Sequence, residues 1–150
     1  MNARGFSLAE LMVILAVTGI LATLVAPTLS SYAKGAALQA AARELATSIN
    51  LGRQMAISRN TTVCIEVAAP AGIRLRTGGC SGAVWSGPGT DASGAIKIAE
   101  SSRYRLSTTS NVVFSSLGAA SPAGTYTLTD PANGAAHTVV VAATGRVSVR

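Results

Sequence analysis

From Leu11 to Leu29 the chain carries no charged side chain, and apolar residues fill most positions. The run is about as long as the ~20 apolar residues a helix needs to cross a bilayer, so residues 6–29 are expected to form a membrane-spanning helix. Arg4 precedes the run and one carboxylate, Glu10, stands at its edge. A carboxylate there is costly in hydrocarbon and so marks a functional position. Arg4 favours an N-terminus in the cytoplasm, and Lys34 and Arg43 on the far side weaken that orientation without reversing it.

The pattern then becomes amphipathic over residues 30–59. Leu38, Ala42, Leu45, Ile49 and Ala56 recur near a period of 3.6, while Arg43, Glu44, Asn50 and Arg53 fall mostly off that stripe. The spacing predicts that the helix continues to about Ser58 and buries one face against the C-terminal part of the chain. Pro27 lacks a main-chain donor and is expected to kink or locally break it.

After Asn60 the chain turns β-branched and punctuated. Thr61–Val67, Gly72–Arg76, Ala95–Ala99, Tyr104–Ser107, Val112–Ser115, Thr125–Thr129, Thr138–Ala142 and Arg146–Arg150 are predicted strands. Gly78 to Gly94 is predicted to be a loop around Trp85, which is expected to pack over the sheet. Asn133-Gly134 is a hairpin signal. The expected class is α+β: a long N-terminal helix packed on a mostly antiparallel β head, residues 60–150.

Charged residues make up only 12% of the chain, which suits packing against membrane or other subunits; the formal charge is +6. From Leu51 onward there are nine Arg/Lys against four Asp/Glu, so the positive excess lies in the head. Such an excess points to an acidic partner, a nucleic acid or an anionic surface, and says nothing of fold. Catalysis finds little support in one histidine, His137, and six scattered acidic residues. His137 is expected to be an exposed structural residue. A metal site would need more ligands than one His and two Cys, and no cofactor is implied. Cys64 and Cys80 are expected to form one disulfide if the head is exported, and to stay free in a reducing compartment.

The segment Gly5-Phe6-Ser7-Leu8-Ala9-Glu10 resembles the processing site of type IV pilins and type II secretion pseudopilins. The resemblance implies a leader of residues 1–5, cleavage between Gly5 and Phe6 by the prepilin peptidase, and N-methylation of Phe6. It makes Glu10 the fifth residue of the mature chain, where the family places an assembly glutamate. Gly19 and Pro27 fall where helix breakers occur in many pilins. A secretory signal peptide would have a shorter apolar region, and a plain signal anchor would explain neither Gly5-Phe6 nor Glu10.

Further on, Gly52-Arg53-Gln54-Met55-Ala56-Ile57-Ser58-Arg59-Asn60, Val63-Cys64-Ile65, Cys80, Trp85-Ser86-Gly87, Phe114 with Gly118, Val139-Val140-Val141 and Gly145-Arg146-Val147 are similar to the GspH/FimT group. That group holds minor pilins of type IV pili and the H pseudopilin of type II secretion. The resemblance implies a FimT-like minor pilin, a fibre or tip subunit, with duplex DNA as a candidate partner in natural transformation. The alternative is a GspH-type pseudopilin acting in protein export. Either way the implied partners are the peptidase/N-methyltransferase, other pilins and the inner membrane, with the head in the periplasm before assembly.

The end of the chain carries the candidate DNA contact. On a strand, residues two apart share a face, so Arg146, Ser148 and Arg150 are predicted to form an exposed ridge, with Val147 and Val149 facing the core. Such arginines can neutralise phosphates without reading sequence. In DNA-uptake members of the FimT type, a Gly-Arg-x-Arg element near the C-terminus is implicated in DNA contact; Arg146 matches its first arginine, but Ser148 stands at the second and Arg150 comes next. The competing reading is a solvated edge strand whose charges block unwanted pairing. Arg74 with Arg76, and Arg103 with Arg105, are further same-face pairs.

Overall fold

The structure is a computed structural model that describes residues 7–98 and 101–150, with the backbone alone at 24–28. Arg4, Gly5, Phe6 and Ala99 lie outside the described residues. The chain divides into two compact units, Met1–Ala36 and Ala37–Arg150.

Helix α1, Leu8–Ser58, runs through both. Its first turn opens on Ser7, whose carbonyl accepts from the amides of Glu10 and Leu11 at 3.1 Å each. Glu10 in that turn lies where the helix dipole favours negative charge. In the first unit, Leu11, Met12, Val13, Ile14, Leu15, Val17, Ile20 and Leu21 are all exposed. Among the described residues, no helix is long and apolar enough to cross a membrane. Helix α1 is continuous through Gly19 and Pro27.

In the second unit, Leu38, Ala42, Leu45, Ile49 and Ala56 are all at most 2% exposed, so the predicted stripe is the core face of the helix. The helix ends where the hydrophobic period ends. Asn60 adopts φ 49°, its amide bonds Ile57 and the Thr61 amide reaches back to Ala56 at 3.1 Å. This pair of bonds around a left-handed residue satisfies the last carbonyls and turns the chain into the sheet.

The head contributes nine strands: β1 Val63–Ala68, β2 Gly72–Thr77, β3 Ala83–Val84, β4 Ala95–Lys97, β5 Arg105–Thr108, β6 Val112–Phe114, β7 Gly124–Thr129, β8 Ala136–Val141 and β9 Val147–Val149. One antiparallel sheet has the order β3-β2-β1-β6, with β4 also paired to β2; the other has the order β5-β7-β8-β9. The α+β arrangement is therefore as expected. Strand β3 is not: it is an exposed two-residue pair within the Gly-rich loop, too short to leave a pattern. In β7, Gly124, Tyr126 and Leu128 face inward and Thr125, Thr127 and Thr129 outward, the alternation of a sheet with one buried face. Tyr104, Tyr126, Phe114, Leu45, Ile49, Ile65 and Leu75 fill the centre of the core. Trp85 packs at its margin, half-buried, and its amide bonds the Leu75 carbonyl at 2.8 Å.

Candidate nucleic-acid interface

The outer face of the second sheet carries arginines that the head leaves unneutralised. Strand register decides what it contains. Arg105 pairs with Thr129, which pairs with Ala136. Ser107 pairs with Thr127, and Thr127 with Thr138. Thr138 and Arg150 exchange main-chain bonds of 3.0 and 2.8 Å, which carries the ladder one residue past β9. Thr125 pairs with Val140, and Val140 with Ser148. Rows of hydroxyls therefore cross the sheet, with Arg105 on the β5 edge and Arg146 and Arg150 on the β9 edge. Three strand spacings separate the edges, about 14 Å. No carboxylate stands among these outward positions.

Arg146, Ser148 and Arg150 do share one face. With Val140, Ala142 and Val149 they line a shallow depression of about 380 Å³. Arg146 and Arg150 are exposed and Ser148 is half-buried. Val147 and Val149 are partly buried against the core rather than fully inside it, because β9 is the edge strand and is covered on one side only. His137 is partly exposed at the same end, with Nδ1 3.3 Å from the Arg150 carbonyl.

The other candidate arginines are spent elsewhere. Arg74 and Arg76 lie on β2, in the first sheet, where Arg74 stands opposite Glu66 and Arg76 opposite Cys64. Arg76 Nε donates to the Glu66 carboxylate at 2.8 Å and Arg74 approaches it at 4.0 Å. The structure thus sets these two apart from the C-terminal ridge, in a different sheet and sharing one carboxylate. Arg103 is not a strand partner of Arg105; it precedes β5, holds Asp130 at 2.9 Å and lies 5.4 Å over the Tyr104 ring. Lys97 pairs with Asp91 at 3.3 Å. Glu66, Asp91 and Asp130 each take a cation, and Arg105, Arg146 and Arg150 have no carboxylate in reach among the described residues. Three unneutralised arginines of the head thus border this face.

The turn that presents Arg146 is built from three distant segments. Ala142 and Arg146 close it through a 2.9 Å bond, the Gly145 amide bonds the Ala142 carbonyl, and Gly145 adopts φ 80°. A side chain at Gly145 would overlap the Gly118 carbonyl oxygen. That same oxygen accepts from Arg53 Nε of α1 at 2.9 Å. Gly52-Arg53, Gly118 and Gly145-Arg146 are separate motifs along the chain, and only the fold shows that they are one place.

Cys64 and Cys80 form a disulfide that links β1 to the loop after β2. Cys64 is fully buried on the outward side of β1, and Cys80 is exposed. The bridge staples the loop across the outer face of the first sheet.

Comparison with known proteins agrees with this architecture. The family of the type II transport protein GspH matches residues 41–145. The prokaryotic N-terminal methylation motif matches residues 1–26. The structure is similar to the type IV minor pilin FimU of Pseudomonas aeruginosa, with a TM-score of 0.60 at 16% identity, over 79% of this chain and 92% of that one. A second crystal form of FimU gives 0.55 at 17% identity, over 75% and 92%. At such identities the likeness concerns the fold. No curated protein matches the chain significantly. The methylation motif implies prepilin processing and assembly with other pilins into a surface or periplasmic fibre. The chain belongs to the GspH family, as a minor pilin or pseudopilin of the type IV pilus and type II secretion class.

Proposed function

We propose that the chain is a minor subunit of a type IV pilus and that its head holds duplex DNA by the phosphates, on the outer face of the β5-β7-β8-β9 sheet. The observation that carries this reading is the gathering of Arg105, Arg146 and Arg150, none with a carboxylate partner among the described residues, around rows of threonine and serine. Guanidinium groups bind phosphate oxygens in a planar fork and hydroxyls bond them singly. Contacts of this kind go to the phosphate backbone, so the expected binding is sequence-independent. Counterion release from three contacts gives a slope of about −2.7 in log K against log salt.

The rest of the chain delivers that face. Residues 1–5 are a leader that holds the N-terminus in the cytoplasm through Arg4. Cleavage after Gly5 exposes the Phe6 amine, which is then methylated. Residues 6–29 cross the inner membrane first and enter the fibre core afterwards, where lipid and then neighbouring helices cover the exposed apolar side chains of α1. Residues 30–59 anchor the helix to the head, residues 60–150. In the fibre, Glu10 of one subunit pairs with the Phe6 amine of another. An unpaired carboxylate in a dry core costs several kcal/mol, so Glu10 checks register. The disulfide supports a head folded in an oxidising compartment such as the periplasm.

The description of the matching family, a type II transport protein, favours a second reading, a pseudopilin of the export machinery. Deleting the gene and measuring both DNA uptake and enzyme export separates the two. Loss of uptake with normal export supports the pilus reading, and the reverse rejects it. The DNA face itself is tested by salt-titrated binding of duplex DNA to the full chain in non-ionic detergent. An Arg146→Ala, Arg150→Ala double variant is expected to bind more weakly and with a slope reduced by about 1.8. Equal binding at every salt concentration would remove this face as the contact.

A further inference from the structure

Arg146 can hold a phosphate well only if its backbone is held. The turn from Ala142 to Arg146 joins β8 to β9, with its own bonds from Ala142 to Arg146 and from Gly145 to Ala142. One more main-chain bond, from the Ala120 amide to the Ala143 carbonyl at 2.9 Å, ties the turn to the loop after β6. That loop is in turn fastened to α1 by Arg53, whose Nε donates to the Gly118 carbonyl. Gly118 and Gly145 are both buried, both at positive φ, and a side chain on either would strike Arg53. On this part of α1, Leu45, Ile49 and Ala56 are fully buried in the core.

We infer that Arg53 is a positioning residue for Arg146: it clamps the Gly118 loop, and through it the Gly145 turn, to the core helix, so that the Arg146 guanidinium is presented in one place. The inference rests on the DNA-binding reading above. It uses a property that lysine lacks. The guanidinium is a rigid plane with Nε–H fixed along its edge, whereas an ammonium is a point charge on a flexible stem. A clamp of this kind contributes by preorganisation, since a loose turn must be ordered at the moment of binding.

The test is a double-mutant cycle with full-length protein in non-ionic detergent and mixed-sequence duplex DNA at low salt. The variants are Arg53→Lys, Arg146→Ala and the two together, with Arg53→Lys also made in an Arg150→Ala background. Residues acting through one another are non-additive, so Arg53→Lys is expected to weaken binding about fivefold alone and with Arg150→Ala, and to have no further effect once Arg146 is gone. Equal losses in every background would overturn the inference, because that is what a direct contact or a general loss of stability produces. Restoration of full affinity by lysine would also overturn it.

If Arg146→Ala binds as the wild type does, the DNA reading fails by itself, and hydrogen exchange then decides the clamp. Amides of residues 117–121 and 142–146 are expected to exchange about tenfold faster in Arg53→Lys, with the centre of β7 and β8 unchanged. Unchanged exchange in the two segments would overturn the clamp on its own.

Discussion

The hydroxyl of Tyr126 donates to the carbonyl of Ile65 across 3.1 Å, joining β7 of one sheet to β1 of the other. The same oxygen accepts from the Val112 amide at 3.3 Å, so a fully buried phenol satisfies main-chain groups on β1 and β6 together. Tyr126→Phe keeps the ring and leaves both groups without a partner. It is expected to cost about 1–3 kcal/mol in denaturant unfolding. No change would mean that the two groups find water or each other.

The same residue sets an alkaline limit. Burial pushes the Tyr126 phenol up to about 12 from an ordinary value of 10.0. The native state therefore keeps its proton over a range in which the unfolded chain has lost it. Stability from this group is whole below about pH 10 and is lost as pH rises through about 12. Tyr126→Phe is expected to flatten the fall of melting temperature above pH 10. An equally steep fall in the variant would assign the alkaline loss to other groups.

Arg103 and Asp130 form an ion pair in which the Asp130 side chain is only 2% exposed. Asp130 Oδ1 also accepts from the Ala132 amide at 3.0 Å, which shapes the β7–β8 turn. Removing the cation leaves a buried charge, so Arg103→Ala is expected to destabilise by about 3 kcal/mol, read from the urea midpoint. Arg105→Ala, two residues on but exposed, is expected to stay within about 0.5 kcal/mol. Similar costs for both would contradict the different environments found for them.

The disulfide closes a separation of 16 residues. Chain entropy gives about 3 kcal/mol for a loop of that size. Reduction, or Cys80→Ser with Cys64→Ser, is expected to lower the melting temperature and to expose Trp85, seen as a red-shifted and more quenchable fluorescence. Melting that is unaffected by reductant would show that the loop stays docked without its staple.

The physics that decides local structure is readable in the sequence. The stripe from Leu38 to Ala56 becomes the core face of α1 because burial on one side imposes the helical period. Eight strands announce themselves by β-branched runs and turn residues, while Ala83–Val84 does not, being a short exposed pair held by β2. The ridge of Arg146 and Arg150 comes from the two-residue period alone. Register and contacts between distant segments are not legible in this way. Nothing in the sequence says that Glu66 stands opposite Arg74 and within reach of Arg76, which removes those two from the candidate face. Nothing says that Arg105 and Arg150 border one sheet, or that Arg53, Gly118 and Gly145 meet. Along the chain those three are visible only as separate motifs.

Glu10 is exposed in the first turn of α1. On the proposed assembly role, Glu10→Ala is expected to leave membrane insertion intact and to keep the chain out of fibres, measured by comparing its content in membranes and in sheared fibres. Normal incorporation would end that role.

The proposed life of the subunit rests most directly on the fate of its N-terminus. Fibres sheared from producing cells can be digested and the N-terminal peptide of this chain identified by mass spectrometry. The expected peptide begins at Phe6 and carries one methyl group on its amine. A chain in the fibre that begins at Met1, or at any residue other than Phe6, would contradict the account, as would its absence from fibres in which other subunits are found.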